Sequence, residues 1–153
     1  MSYQSFEQVL QKCHTEEKEF WRVILEDDMA ERNVSEEDSM EHMRATWDAM
    51  LLAAATYEGN LSSSSGLVGG DGRRMEEYIR SAQPQSLCGE YVDTCIAGAL
   101  QMGESNACMK RIVAAPTAGA CGVLPAVLVP YFQKRCKDTD KILKAMYVAA
   151  GIG

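Results

Sequence analysis

At 153 residues the chain has about the length of one domain, enough to bury a core. With 46% hydrophobic and 24% charged residues it has the composition of a globular protein, which argues against a disordered tail, a collagen-like fibre or a membrane bundle. The net charge of −7 is uneven: residues 1–60 hold 14 acidic and 5 basic side chains, residues 61–153 hold 8 and 10. The basic clusters are limited to Arg73–Arg74 and Lys134–Arg135/Lys137, too few for a nucleic-acid footprint. No run approaches the ~18 apolar residues of a transmembrane helix. The start, MSYQSFEQVLQKC, lacks the basic and apolar regions of a signal peptide, so no export and no membrane partner are expected.

In chain order the pattern is helical. Residues 4–13 carry Phe6, Val9 and Leu10 at helical spacing. Thr15, followed by Glu16 and Glu17, reads as the start of a second helix containing Phe20, Val23 and Ile24. Ser35 and Asp38 form a capping-box pattern, with Asp where Glu or Gln is usual. Met40, Met43, Trp47, Met50, Leu51 and Ala54 then make one apolar stripe, read as core, with a stop expected at Gly59. Residues 60–72, NLSSSSGLVGGDG, hold four serines and four glycines and break the helix. RRMEEYIRSA reads as a helix stopping before Pro84, and Cys88–Gly103 as another, in which Gly98 and Gly103 suggest close packing or a kink. IVAAPTAGACG is a small-residue loop leading into VLPAVLVPYFQKR, where Pro125 fits a first turn and Pro130 should kink or interrupt the helix. A last helix follows Asp138-Thr139-Asp140, and the chain stops on an apolar run through Ile152 and Gly153. That stop leads to the expectation of a truncated chain, or one continued by a partner. With no strand alternation and no repeat, the fold class is all-α, read as a single helical domain over 1–153 with an acidic half, 1–59, and a motif-bearing half, 60–153.

Two loops could carry chemistry. In the first, Ser62 to Gly72, glycines allow backbone N–H groups to approach a ligand, and consecutive N–H groups form an anion nest. A helix starting near Asp71 would add its positive end, so the loop suits a carboxylate or phosphate. It lacks the G-x-x-x-x-G-K-S/T pattern of a nucleotide loop, and the alternative is a flexible linker. The second holds Cys121 between Ala120 and Gly122, just before a helix start, where a thiolate is stabilised; the alternative is a buried structural cysteine. A cysteine nucleophile would need a base, and His14 and His42 both read as surface residues of the acidic half. The six cysteines have no C-x-x-C spacing and, without an export signal, no disulfide reading; the five besides Cys121 are expected to pack.

SSSSGLVGGDG followed by RIVAAPTAGACGVLPAVL, with Asn106 in ESNACMKRIVAAPT, resembles the alpha chain of iron–sulfur-dependent bacterial L-serine dehydratase. The resemblance is strongest over residues 60–153. It implies an L-serine ammonia-lyase that converts L-serine to pyruvate and ammonia in the cytoplasm, in amino-acid degradation and gluconeogenesis. It also implies a [4Fe–4S] cluster acting as Lewis acid in place of pyridoxal phosphate. Cys121 aligns with a cluster cysteine of that family. Ser64, Ser65, Gly66, Gly69, Gly70, Asn106, Thr117 and Gly119 are implied as substrate-binding. The catalytic base is unassigned, since the family's serine-histidine motif lies in a beta chain or beta domain, an implied partner in a homo- or hetero-oligomer. The family's further cluster cysteines lie downstream of Gly153, so this chain alone is expected to be inactive. The alternatives are a cysteine desulfidase-like lyase and a non-catalytic helical interaction module.

Overall fold

The computed structural model describes residues 3–81 and 86–153, and among these every regular element is helical. The helices are α1 (Phe6–Glu16), α2 (Phe20–Arg32), α3 (Glu36–Ala55), α4 (Asp71–Arg80), α5 (Glu90–Ala107), α6 (Val123–Tyr131) and α7 (Thr139–Ile152). No helix among the described residues is long and apolar enough to cross a membrane. Pro84 lies outside the described residues.

Local chemistry explains most boundaries. Ser5 caps α1 by accepting from the Gln8 N–H at 3.4 Å. Thr15 and Glu16 close α1 instead of opening α2: Glu17 turns left-handed, and the Cys13 carbonyl accepts from the N–H groups of Glu17 and Lys18. The Ser35–Asp38 capping box forms in both directions, Asp38 N–H to Ser35 Oγ at 3.1 Å and Ser35 N–H to Asp38 Oδ2 at 3.3 Å. α3 ends at Ala55, four residues before the expected Gly59. There the Thr56 hydroxyl donates to the Leu52 carbonyl at 2.7 Å and competes with the helical ladder. α5 begins at Glu90 because Ser86 Oγ accepts from the N–H groups of Cys88 and Gly89 just before it. It runs four residues past Gly103. Pro130 cannot donate to the carbonyl four residues back. The helix passes through it to Tyr131 and then widens to a π-helical segment, Phe132–Cys136.

Contacts divide the chain into two units, Met1–Trp47 with Asp138–Gly153, and Asp48–Lys137. In the first, Val9, Val23, Ile24, Leu25 and Tyr147 form the core, flanked by Phe20, Trp21, Met40 and Met43. α7 approaches α2 closely at Gly151, where a Cβ would lie 2.6 Å from Ile24. The buried Ser39 hydroxyl bridges α2 and α7, donating to Asp28 Oδ2 at 2.5 Å and lying 2.6 Å from the Tyr147 hydroxyl. Trp47 and Met50 are fully buried, as their stripe predicts.

Burial pushes the Tyr147 phenol above its ordinary value of 10.0. The fold therefore favours the protonated form. That contribution is complete below about pH 10, where the unfolded phenol starts to ionise, and is lost as pH rises through the folded value. Tyr147→Phe is expected to cost about 1–2 kcal/mol at neutral pH, by loss of one buried hydrogen bond. Its stability should also fall less steeply than wild type above about pH 10, as read from urea midpoints. Parallel alkaline limbs would contradict this.

In the second unit, α4, α5 and α6 pack through small residues. A Cβ on Gly72 would lie 2.7 Å from Gln101 Cγ and 2.8 Å from the Tyr57 hydroxyl. Gly98 faces Ala126, and Gly122 abuts the Ala99 carbonyl. The close packing expected at Gly98 is thus present, while the Cβ position of Gly103 is open.

Candidate functional site

The serine–glycine segment is a hydrogen-bonded turn. Ser63 N–H donates to the Val68 carbonyl at 2.8 Å, Gly66 N–H to the Ser63 carbonyl at 2.9 Å, and Val68 N–H to Ser63 Oγ at 3.1 Å. Gly69, at φ 147°, sits so close to the preceding chain that a Cβ would fall 2.2 Å from the Leu61 carbonyl oxygen. Such backing makes this segment a built loop and not a flexible linker. Ser64, Ser65 and Gly66 form its exposed tip, and Gly69 and Gly70 lead into α4, which starts at Asp71 as expected.

The positive end of α4 is already occupied. Glu104, 3% exposed, accepts from the N–H of Asp71 at 2.5 Å and of Gly72 at 3.1 Å through Oε1. Its Oε2 accepts from the Tyr57 hydroxyl at 2.5 Å. Burial, then the Glu104 carboxylate, raises the Tyr57 phenol far above its usual range, so Tyr57 stays a donor. The expectation that the α4 N-terminus is free to receive a ligand anion is corrected here: the chain's own carboxylate fills it. Sequence reading missed both Glu104 and Tyr57. The available signal was spacing: Glu104 continues the line Asp93, Ala97, Gln101 on α5, whose Asp93 and Ala97 are buried. A carboxylate on such a face needs donors.

The second loop is tied to the same stretch of α5. Asn106 Nδ2 donates to the Ala118 carbonyl at 3.0 Å. Thr117 caps the short 3-10 turn Ala118–Ala120, its Oγ1 accepting from the Ala120 N–H at 3.2 Å. Gly119 is exposed on that turn. The Ala115–Pro116 bond is cis. The structure thus joins Asn106 with the Thr117–Ala120 turn, and ties Asp71 and Gly72, which follow Ser64–Gly70, to α5 by a separate contact two residues earlier, at Glu104.

Cys121 follows the turn, one residue before the Gly122 N-cap of α6. It is 2% exposed, and its thiol lies 4.0 Å from the Met102 carbonyl oxygen. Burial pushes this thiol up, opposite to the lowering that a helix start alone suggests. Cys88 is exposed in the turn before α5, not packed as expected, while Cys13, Cys95, Cys108 and Cys136 are half-buried. His14 and His42 are exposed, as expected. No group of three or more His, Cys, Asp or Glu suited to a metal ion occurs among the described residues. With no such group at Cys121, the described residues do not by themselves fit a [4Fe–4S] cluster.

Comparison with known proteins gives this geometry a family. A family model described as serine dehydratase alpha chain matches residues 15–153. The L-serine dehydratase alpha chain of Peptoniphilus asaccharolyticus is 29% identical over 150 residues, covering 95% of this chain and 50% of the relative. The probable L-serine dehydratase alpha chain of Bacillus subtilis is 29% identical over 131 residues, 86% of this chain and 43% of the relative. L-serine dehydratase 2 of Escherichia coli is 46% identical over 57 residues, 36% of this chain and 12% of the relative. The chain spans half or less of the length of these curated relatives. No solved structure matches it. With its helical fold, and with both motif loops anchored on α5, the chain belongs to the serine dehydratase alpha chain family.

Proposed function

We propose that this chain is part of an iron–sulfur-dependent L-serine dehydratase, which eliminates water from L-serine and releases pyruvate and ammonia in the cytoplasm. The observation that carries the reading is the anchoring of both family loops on one short stretch of α5, by Glu104 and by Asn106. Because Glu104 occupies the N–H groups of Asp71 and Gly72, the substrate carboxylate is assigned to the turn ahead of them, Ser64, Ser65, Gly66, Gly69 and Gly70. Asn106, Thr117 and Gly119 form the opposing part of the substrate site. Cys121 contributes one thiolate to a [4Fe–4S] cluster whose other ligands come from outside the described residues. A beta chain or beta domain supplies the catalytic base within an oligomer, and pyridoxal phosphate is not used. The 153-residue chain alone is inactive.

The test uses the full-length protein and this chain side by side, both prepared anaerobically, with L-serine and L-cysteine as substrates. Pyruvate from L-serine is expected with the full-length protein only. Preferential turnover of L-cysteine would instead identify a desulfidase. Cys121→Ser in the full-length protein is expected to abolish cluster absorbance while helical circular dichroism remains. An intact cluster in that variant would remove Cys121 from the ligand set.

A further inference from the structure

We propose that the exposed faces of α5 and α6 form an interface for a second copy of this chain, two helix pairs meeting about a two-fold axis. Both helices belong to the unit Asp48–Lys137. They run antiparallel: Gly98 faces Ala126, Gly122 abuts the Ala99 carbonyl, and Lys134 pairs with Glu90 at 2.8 Å. One residue onward from the Gly98–Ala126 contact is a turn of about 100° around either helix. In an antiparallel pair those two turns lead to the same side, where Ala99 and Val127 are exposed. Val92, Ile96 and Leu100 on α5, and Val123, Val127 and Tyr131 on α6, each series at steps of four, are between 37% and 56% exposed. A surface helix ordinarily turns a polar face to water. Here every exposed residue of α5 from 92 to 107 is apolar or glycine, and α6 exposes only two valines and Tyr131. Single exposed apolar residues are ordinary, but a contiguous face marks a contact.

Charge, shape and area select the occupant. The unit Asp48–Lys137 holds 8 acidic and 8 basic residues, so two copies of it meet without net repulsion, and the chain's charge of −7 falls wholly on the other unit. No charge lies on the face itself, so no like charges are desolvated against each other. The bulky Ile96 and Leu100 stand beside the exposed Ala99 and Gly103, and nothing lies within 4 Å of the Gly103 Cβ position. One surface therefore carries both ridges and hollows. A two-fold contact needs this, because each patch must fit itself. Two antiparallel pairs joined in this way make a four-helix bundle. At 1.5 Å per residue the face is about 23 Å long on α5 and about 13 Å on α6, a flat footprint of roughly 400 Å² per copy. That is about half of the ~800 Å² per partner in a standard interface, so the dimer is a dissociable one. This contact is independent of the dehydratase reading, and its test reads mass, not turnover.

Sedimentation equilibrium of the 153-residue chain is measured from about 2 to about 200 µM. A reversible monomer–dimer equilibrium is expected, with a midpoint on the order of tens of micromolar. Ile96→Glu and Val127→Glu each place a charge where the side chain is already exposed, and each should raise the dissociation constant about tenfold or more, with helical circular dichroism unchanged. If Ile96→Glu loses helical signal, Ile96→Ser removes the apolar contact without adding a charge and is expected to weaken the dimer as well. A dimer that neither face variant weakens, or association that runs past the dimer, would overturn the interface. A monomer at every concentration would overturn it too, and would leave the face to a different polypeptide, such as the half of the longer alpha-chain relatives that this chain does not span.

Discussion

Glu104→Ala is expected to destabilise the chain by about 3–5 kcal/mol, from the sum of three lost contacts. The carboxylate accepts from the Tyr57 hydroxyl and from two backbone N–H groups at the first turn of α4. Its removal leaves all three donors facing a small void. A buried donor left unsatisfied, as the Gly72 N–H would be, costs roughly 1–3 kcal/mol, the part-buried Asp71 N–H and Tyr57 hydroxyl cost less, and α4 also loses the negative charge at its positive end. Glu104→Gln should be milder, about 1–3 kcal/mol, because an amide oxygen still accepts while its NH2 meets other donors. Tyr57→Phe should cost less than Glu104→Ala, since the carboxylate keeps both backbone partners. Urea midpoints of the three variants check the order. Coupling between Tyr57→Phe and Glu104→Gln in a double-mutant cycle measures the shared hydrogen bond. A Glu104→Ala variant within about 1 kcal/mol of wild type would show that the carboxylate does not hold the loop.

Gly69→Ala is expected to cost about 2–4 kcal/mol and to open the serine–glycine turn. Two constraints coincide there. The φ of 147° disfavours any side chain, and a Cβ would meet the Leu61 carbonyl oxygen at 2.2 Å and Ser62 Cα at 3.0 Å. Both obstacles are backbone, so no rotamer change relieves them. The chain must move, and the 2.8 Å bond from Ser63 N–H to the Val68 carbonyl goes with it. Gly66 supplies the contrast: its φ is 70°, but nothing lies within 4 Å of its Cβ position. Gly66→Ala should cost only the left-handed penalty of about 1–2 kcal/mol. Thermal unfolding gives the order, and faster amide exchange at Ser63 and Val68 in Gly69→Ala locates the damage. Equal costs at the two glycines would mean that backbone contact adds nothing to conformation.

The sequence made visible what neighbouring residues decide among themselves. The Met40–Met50 stripe announced a buried helix face because helical spacing alone lines those side chains up. The Ser35–Asp38 box formed because both partners lie within one turn. Boundaries went wrong where a local competitor intervened, as with the Thr56 hydroxyl ending α3 or the closure at Cys13 that assigns Thr15 to α1. At the site, the two loops and Asn106 were legible as motifs. Glu104 was not, because its donors lie 32, 33 and 47 positions away and only the folded chain brings them to it. Cys121 shows the same limit in sign: position at a helix start argues for a lowered thiol, and burial by residues as distant as Met102 raises it.

The Ser39 bridge has a consequence for the time course of synthesis. It joins α2 and α3 to Tyr147 of α7, which is made after them, and the whole of Asp48–Lys137 lies between. At ribosomal rates, about 90 intervening residues take on the order of 5–20 s to emerge. For that interval Val23, Leu25 and the rest of the first unit's core lack the helix that covers them, and at its end the inserted unit has all of its own chain before α7 has emerged. The nascent protein therefore has an ordered schedule, in which the segment bearing both motif loops can close before α1, α2 and α7 come together, and α1 and α2 are the helices that wait exposed to chaperones.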